Sequence, residues 1–169
     1  MDIRDAVRPV TIDEAAHVKE LLAALRVSAP EIGPVLRPRV ELRKWRSGRL
    51  SVYNGFTHEE RVAGWQRSKW LQDSGALPAP SACVICGSNK DLEYHSETYF
   101  DPTLVQAVCK SCHRRIHLRF RFPDAWTRWL DSGSKPSWIK VLASDRRDLR
   151  HGFRLGACNS TANLSVQSD

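Results

Sequence analysis

The segment CVICGSNKDLEYHSETYFDPTLVQAVCKSCHRRIH, running from Cys83 to His117, decides how this chain is read. It holds two Cys-x-x-Cys pairs, Cys83/Cys86 and Cys109/Cys112. Each such turn offers two thiolates to one edge of a soft metal ion, and two turns complete a four-coordinate tetrahedral site. Four thiolates leave no position for a substrate, so the expected occupant is a structural Zn2+. Three histidines accompany the cysteines: His95 between the pairs, His113 and His117 just after them. His113 and His117 are four residues apart and share one face of a helix, where they can hold a second cation. His95, on a strand between the knuckles, can face the same point.

Three other arrangements fit the segment less well. A disulfide framework belongs to secreted domains, and the opening residues Met1 to Asp5 lack the apolar stretch of a signal peptide. A Cys2His2 finger would join Cys83 and Cys86 to His113 and His117 across a gap far longer than the roughly 12 residues such fingers use. It would also strand Cys109 and Cys112. A metalloprotease helix needs His-Glu-x-x-His with the glutamate as base, and here Arg114 follows His113.

Outward from the cysteines, Leu92 to His95 and roughly Thr98 to Phe100 are expected to form the arms of a short hairpin. Cys112 to Phe120 then reads as a helix that Pro123 ends, giving a ββα unit around one metal. Upstream, Thr57 with Glu60 forms a capping box opening a helix through Val62, Trp65, Trp70 and Leu71, which stops near Ser74-Gly75. Its tryptophans are expected to pack it on the metal module. Downstream, Asp124–Asp131 and Pro136–Ser144 read as short helices, with Trp126, Trp129 and Trp138 covering the module.

In the N-terminal third, Thr11 and Glu14 cap an amphipathic helix over 11–28 whose Ala15, Val18, Leu22 and Leu25 recur at helical spacing. Its expected use is packing, or contact with a protein partner or second copy. Pro30, Pro34 and Pro38 then forbid a long helix. The stretch that follows sets Arg37, Arg39, Arg43, Lys44 and Arg46 around Trp45. Basic residues interleaved with an aromatic suit phosphate contacts and base stacking, whereas a solvated edge strand would use the same charges against aggregation. A net charge of +7 over 169 residues favours a polyanionic partner: DNA, with RNA as the alternative. Arg114 and Arg115, on the helix carrying His113, join the expected nucleic-acid contacts. No apolar run approaches the ~20 residues of a membrane span, so no membrane partner is expected and the expected location is cytoplasmic. After Arg150 the chain thins to small polar residues around Cys158, a free thiol. The expected organisation is therefore an N-terminal helix and basic segment (1–56), a zinc domain with flanking helices (57–145) and a disordered tail (146–169). The fold class is α+β, mostly helical, with the zinc module embedded between helices.

Residues 83–117 resemble the HNH endonucleases, specifically those whose ββα-metal, treble-clef-like motif is braced by a four-cysteine zinc. The matching pieces are CVICG, the LEYH strand, Glu97 and Tyr99, and CKSCHRRIH. ERVAGWQRSKWLQDSGALP before them and LRFRFPDAW after them are similar to the flanks of phage and bacterial members, so the likeness covers about 57–130. The resemblance implies metal-assisted hydrolysis of a phosphodiester, cutting or nicking DNA. One divalent ion (Mg2+, Mn2+, Ni2+ or Zn2+) would stabilise the scissile phosphate while a strand histidine activates water. It assigns His113 and His117 to that ion and His95 to the ion or the base. The chain departs from the family pattern twice. Ser96 stands where relatives carry a second histidine, so Glu97 becomes the substitute ligand or base. No asparagine lies between His95 and His113, where Asp101, Thr103 or Gln106 would have to deputise. A chain that kept the scaffold without the base would be a zinc-stabilised nucleic-acid-binding module instead.

Overall fold

The computed structural model describes residues 12–150, 152 and 153. Among these, the chain forms five helices and one two-stranded antiparallel sheet: α1 (Ile12–Ser28), α2 (His58–Asp73), β1 (Leu92–Ser96), β2 (Val105–Cys109), α3 (Lys110–Leu118), α4 (Pro123–Asp131) and α5 (Ser137–Val141). This is an α+β architecture. None of the described helices is long and apolar enough to cross a membrane.

The hairpin differs from expectation in its second arm. β1 pairs with Val105–Cys109, in the register His95 opposite Gln106, and Thr98 to Phe100 lie in the connection. Two features stop a strand from forming earlier. The Asp101 carboxylate accepts from both the amide and the hydroxyl of Thr103, which builds a turn, and Pro102 has no amide to give to a ladder. The β-branched Val105 and Val108 then supply the pleated, buried arm.

Helix α2 begins as its sequence indicates. The Thr57 side chain accepts from the Glu60 amide, and the Glu60 carboxylate accepts from the Thr57 amide. Its packing face is not the expected one. The buried residues are Arg61, Gly64 and Ser68, while Val62, Trp65, Trp70 and Leu71 are only half-buried. Gly64 explains the inversion. A Cβ there would come within 3.0 Å of the Tyr99 Cα and closer still to its carbonyl oxygen, so α2 lies against the 97–100 loop at a distance only glycine permits.

The core draws on both ends of the chain. Helix α1 buries Val18, Leu21, Leu22 and Leu25 and packs on α5 and β2, as expected of a packing helix. Thr11 lies outside the described residues. Trp126 and Trp138 are buried as expected, and Trp129 is partly so. The segment from 146 also contributes, correcting its reading as tail: Leu149 and Phe153 are buried, and Phe153 stacks on Phe56. Cys158 and the rest of the C-terminal segment lie outside the described residues.

Residues 30–50 form no helix or strand, which sets aside the edge-strand alternative. They are fastened along α2 instead. Gly33 donates to Ala76 O, Arg43 makes a two-pronged ion pair with Asp73, and the Gln66 amide donates to Arg43 O. At the end of this arm, Asn54-Gly55 forms a left-handed turn (φ 51 and 84) closed by Tyr53 and Phe56. Leu149 donates its amide to Asn54 O, so the C-terminal segment locks the turn from outside.

Candidate functional site

The four cysteines come together as their spacing requires. Cys83 and Cys86 sit in a tight turn in which Cys83 donates to Ser88 O and Gly87 to Cys83 O, with Gly87 at φ 74. Val84 ties this knuckle to Ala107 of β2. Cys109 ends β2 as the N-cap of α3, and Cys112 lies in that helix's first turn. All four sulfurs lie within 4.8 Å of one another and could hold a metal ion such as zinc. Cys86 Sγ and Cys109 Sγ are 3.7 Å apart. A tetrahedron with Zn–S near 2.3 Å has edges of about 3.8 Å, so the donor set fits. Burial pushes the Cys83 thiol up, but the amides of Cys109, Ile85 and Cys86 aim at it and bring it down to about 7, within reach of the thiolate a metal needs. Burial and the neighbouring Cys83 charge push the Cys112 thiol up.

The three histidines also converge. One nitrogen from each of His95, His113 and His117 lies within 4.8 Å of the others. His113 Nε2 and His117 Nε2 are 2.9 Å apart, the separation of two cis nitrogens on an octahedral cation with bonds of about 2.0–2.1 Å and shorter than the roughly 3.3 Å of a tetrahedral one. Each of two rings is held from behind by a carboxylate. His113 Nδ1 lies 2.6 Å from Glu93 Oε1 and His95 Nε2 lies 2.7 Å from Glu97 Oε1. A carboxylate there fixes the proton on the near nitrogen and leaves the lone pair on the far one. In His95 that far nitrogen, Nδ1, is buried and has no hydrogen-bond partner. An orphaned acceptor in a fully buried ring is costly unless something occupies the position it faces. Burial, followed by the other two rings, pushes His117 down to about 2, and burial takes His95 down to about 4, so both rings are shifted toward the neutral imidazole.

The structure places Glu97 behind His95. Its carboxylate is completely buried and accepts from the Tyr53 hydroxyl (2.5 Å), Asn54 Nδ2 (2.6 Å) and Arg119 Nη2 (3.3 Å) as well as His95. Burial pushes the Glu97 carboxyl up, but the Arg119 guanidinium and the His95 and Tyr53 donors outweigh it and hold it well below the usual carboxylate range. Arg119 also donates to Ala143 O, Ile116 O and the Tyr53 oxygen. Trp138 stacks on the His95 ring at 6.0 Å and Tyr53 lies 4.8 Å from that of His117. None of Glu93, Tyr53, Asn54 or Arg119 follows from spacing around the cysteines. The Asn-Gly dipeptide does signal a turn, but not where the turn docks.

The residues proposed to stand in for the missing asparagine are engaged elsewhere. Gln106 sits opposite His95 but gives its amide to Leu25 O on α1, and Asp101 and Thr103 bind each other. Ser96 is half-buried in β1 next to His95.

An open cleft of about 1120 Å3 runs between α2 and the β1–α3 face, and the three histidines line it. Its cations are not the expected ones. Arg37, Arg39, Lys44, Arg46, Arg114 and Arg115 are exposed elsewhere, and Arg43 is held by Asp73. Arg49, Arg61, Lys69 and Arg146 line the cleft together with Trp45 and Trp65. No protein-family profile, curated protein or solved structure matches the chain, so its class rests on this geometry.

Proposed function

We propose that the chain is an HNH-type, divalent-metal-dependent DNA endonuclease or nickase, built on a ββα-metal, treble-clef-like module that a four-cysteine zinc braces. The observation that carries this reading is the meeting of three imidazoles beside an open cleft, with the buried His95 Nδ1 lacking any partner. His113 and His117 hold the second cation, and Glu93 fixes the tautomer of His113. A divalent ion there supplies positive charge against the scissile phosphate and the leaving oxygen. His95 turns its Nδ1 lone pair toward the attacking water and takes its proton. Glu97 keeps that ring in the productive tautomer and steadies the imidazolium that forms, as the buried carboxylate of a catalytic triad does. An all-imidazole donor set suits Mn2+, Ni2+ or Zn2+ better than Mg2+, which prefers oxygen ligands.

One observation favours a second reading, a zinc-stabilised nucleic-acid-binding module without turnover. Both carboxylates beside the centre are already engaged, Glu97 by four donors and Glu93 by His113, so neither is free to bind a hard cation. Nicking of supercoiled plasmid by zinc-loaded protein, with Mg2+, Mn2+ or Ni2+ added, separates the two. The nuclease reading expects cleavage, stronger with Mn2+ or Ni2+, that His95→Ala and His113→Ala both abolish while the cysteine-bound zinc stays. Absence of cleavage of both the plasmid and a single-stranded oligonucleotide with every metal, from folded zinc-loaded protein, rejects it.

A further inference from the structure

One charged group in the cleft is unaccounted for by the metal centre. Arg61 is 8% exposed, and its guanidinium lies between the Tyr53 and Tyr99 rings, 5.2 and 5.1 Å from their centroids. It donates to Ser51 O, but its Nε is buried with no hydrogen-bond partner. Among the described residues no carboxylate lies within ion-pair distance of it. A buried cation without a counter-charge is costly, and the usual remedy is an anion. Arg61 lines the same cleft as His113 and His117.

Arg61 is also the first of a row. Arg61, Trp65 and Lys69 are four residues apart on α2 and all line the cleft, so they follow one another at steps of about 6 Å. Trp45, on the basic arm, meets Trp65 edge-to-face with ring centroids 5.2 Å apart. An edge-to-face pair leaves at least one indole face uncovered by its partner. Cation, aromatic platform, cation is the order in which an unstacked strand presents phosphate, base and phosphate.

We propose that this face of α2, with Trp45, is a track for single-stranded nucleic acid, in which Arg61 takes a phosphate beside the histidine centre and the Trp45/Trp65 pair stacks a base. The proposal rests on the nuclease reading for the place of the cut phosphate, not for binding itself. A paired duplex keeps its bases stacked on one another and offers no face to an indole. Its stiffness also keeps its phosphates away from a cation that lies nine-tenths buried, whereas a flexible strand can enter.

The test uses full-length His113→Ala protein, zinc-loaded so that cutting is off, with a labelled oligothymidine and a duplex of equal length read by fluorescence anisotropy. The track predicts at least tenfold tighter binding of the single strand. It predicts about tenfold loss of that binding in Trp45→Ala, with most retained in Trp45→Phe, which keeps an aromatic face. Arg61→Gln should lower the salt dependence of binding by about one phosphate contact. Equal affinity for duplex and single strand, or an unchanged affinity in Trp45→Ala, overturns the proposal. Plasmid cleavage that persists alongside either result would leave the nuclease reading standing. Single-strand binding through Trp45 in a chain that never cuts would reject the nuclease and keep the track.

Discussion

The two ligand clusters are built on opposite principles. The four cysteines are held by short-range geometry: two turns, a strand end and the helix that follows it, all within residues 83–112. Backbone hydrogen bonds of Cys83, Val84 and Gly87 hold the first knuckle in place. The three histidines depend on residues far away in sequence. Glu97 draws its donors from Tyr53 and Asn54, more than forty positions before it, and from Arg119, 22 positions after it. One cluster closes on four sulfurs, as a structural site does. The other lines an open cleft. A fold can bury the first and forget it, while the second has to be supported from behind so that its front stays free.

That contrast can be broken at several points, in decreasing order of effect. Removing metal from the cysteines should have the largest, since the binding energy of a structural zinc, about 10–16 kcal/mol in small zinc modules, is folding energy. Chelation, or Cys112→Ser, is expected to abolish cooperative unfolding of the 83–118 region followed by circular dichroism and zinc release. Retained cooperativity would mean that the sulfurs are incidental to the fold. Next, Arg119→Ala leaves the buried Glu97 charge uncompensated, and a loss of about 3–5 kcal/mol in denaturant unfolding is expected. Arg119→Ala together with Glu97→Gln should recover part of it, because the stranded charge is gone. A double variant no better than the single one would put the cost in packing instead.

Glu93→Gln acts on the histidine cluster alone. The Glu93 side chain is 38% exposed and bonded to His113, so stability should change by less than about 0.5 kcal/mol. Divalent-ion affinity at the histidines should fall about 10–100-fold, measurable by calorimetry on zinc-loaded protein. Unaltered affinity would show that the carboxylate does not orient the ring. Smaller than that loss of ion affinity is the effect expected at Thr57→Ala, which removes the α2 cap and should cost about 1 kcal/mol of stability. Because the Arg61 face of α2 lies against Tyr53 and Tyr99, thermal unfolding should register this loss while the cysteine-bound zinc is untouched.

What could be read from sequence follows the same division. The cysteine cluster was fully legible, because Cys-x-x-Cys spacing alone brings each pair of sulfurs together. The helical pair His113/His117 was legible from its four-residue spacing, and the α2 capping box from Thr57 and Glu60. Three features were not. The second strand begins at Val105 because an Asp-Thr turn around Pro102 takes up the residues before it, a side-chain competition that no hydrophobic pattern records. The buried face of α2 is Arg61, Gly64 and Ser68, since close approach to Tyr99 outweighs the apolar positions. The partners of Glu97 come from separate parts of the chain, and only the folded arrangement of Asn54-Gly55 and Arg119 joins them. The exposed arginines around Trp45 were a reasonable place to expect phosphate contacts, yet of that basic stretch only Arg49 lines the cleft, whose other cations come from α2 and from 146–150.

The central claim is that the histidine cluster binds a divalent ion of its own beside the zinc held by sulfur. Calorimetric titration of zinc-loaded protein with Mn2+ or Ni2+, in parallel with His113→Ala and with metal content counted by native mass spectrometry, tests it most directly. The account predicts one further ion per chain in the unaltered protein, none in His113→Ala, and one retained zinc in both. A zinc-loaded chain that takes up no second ion, or a His113→Ala chain that binds it as tightly, would contradict it.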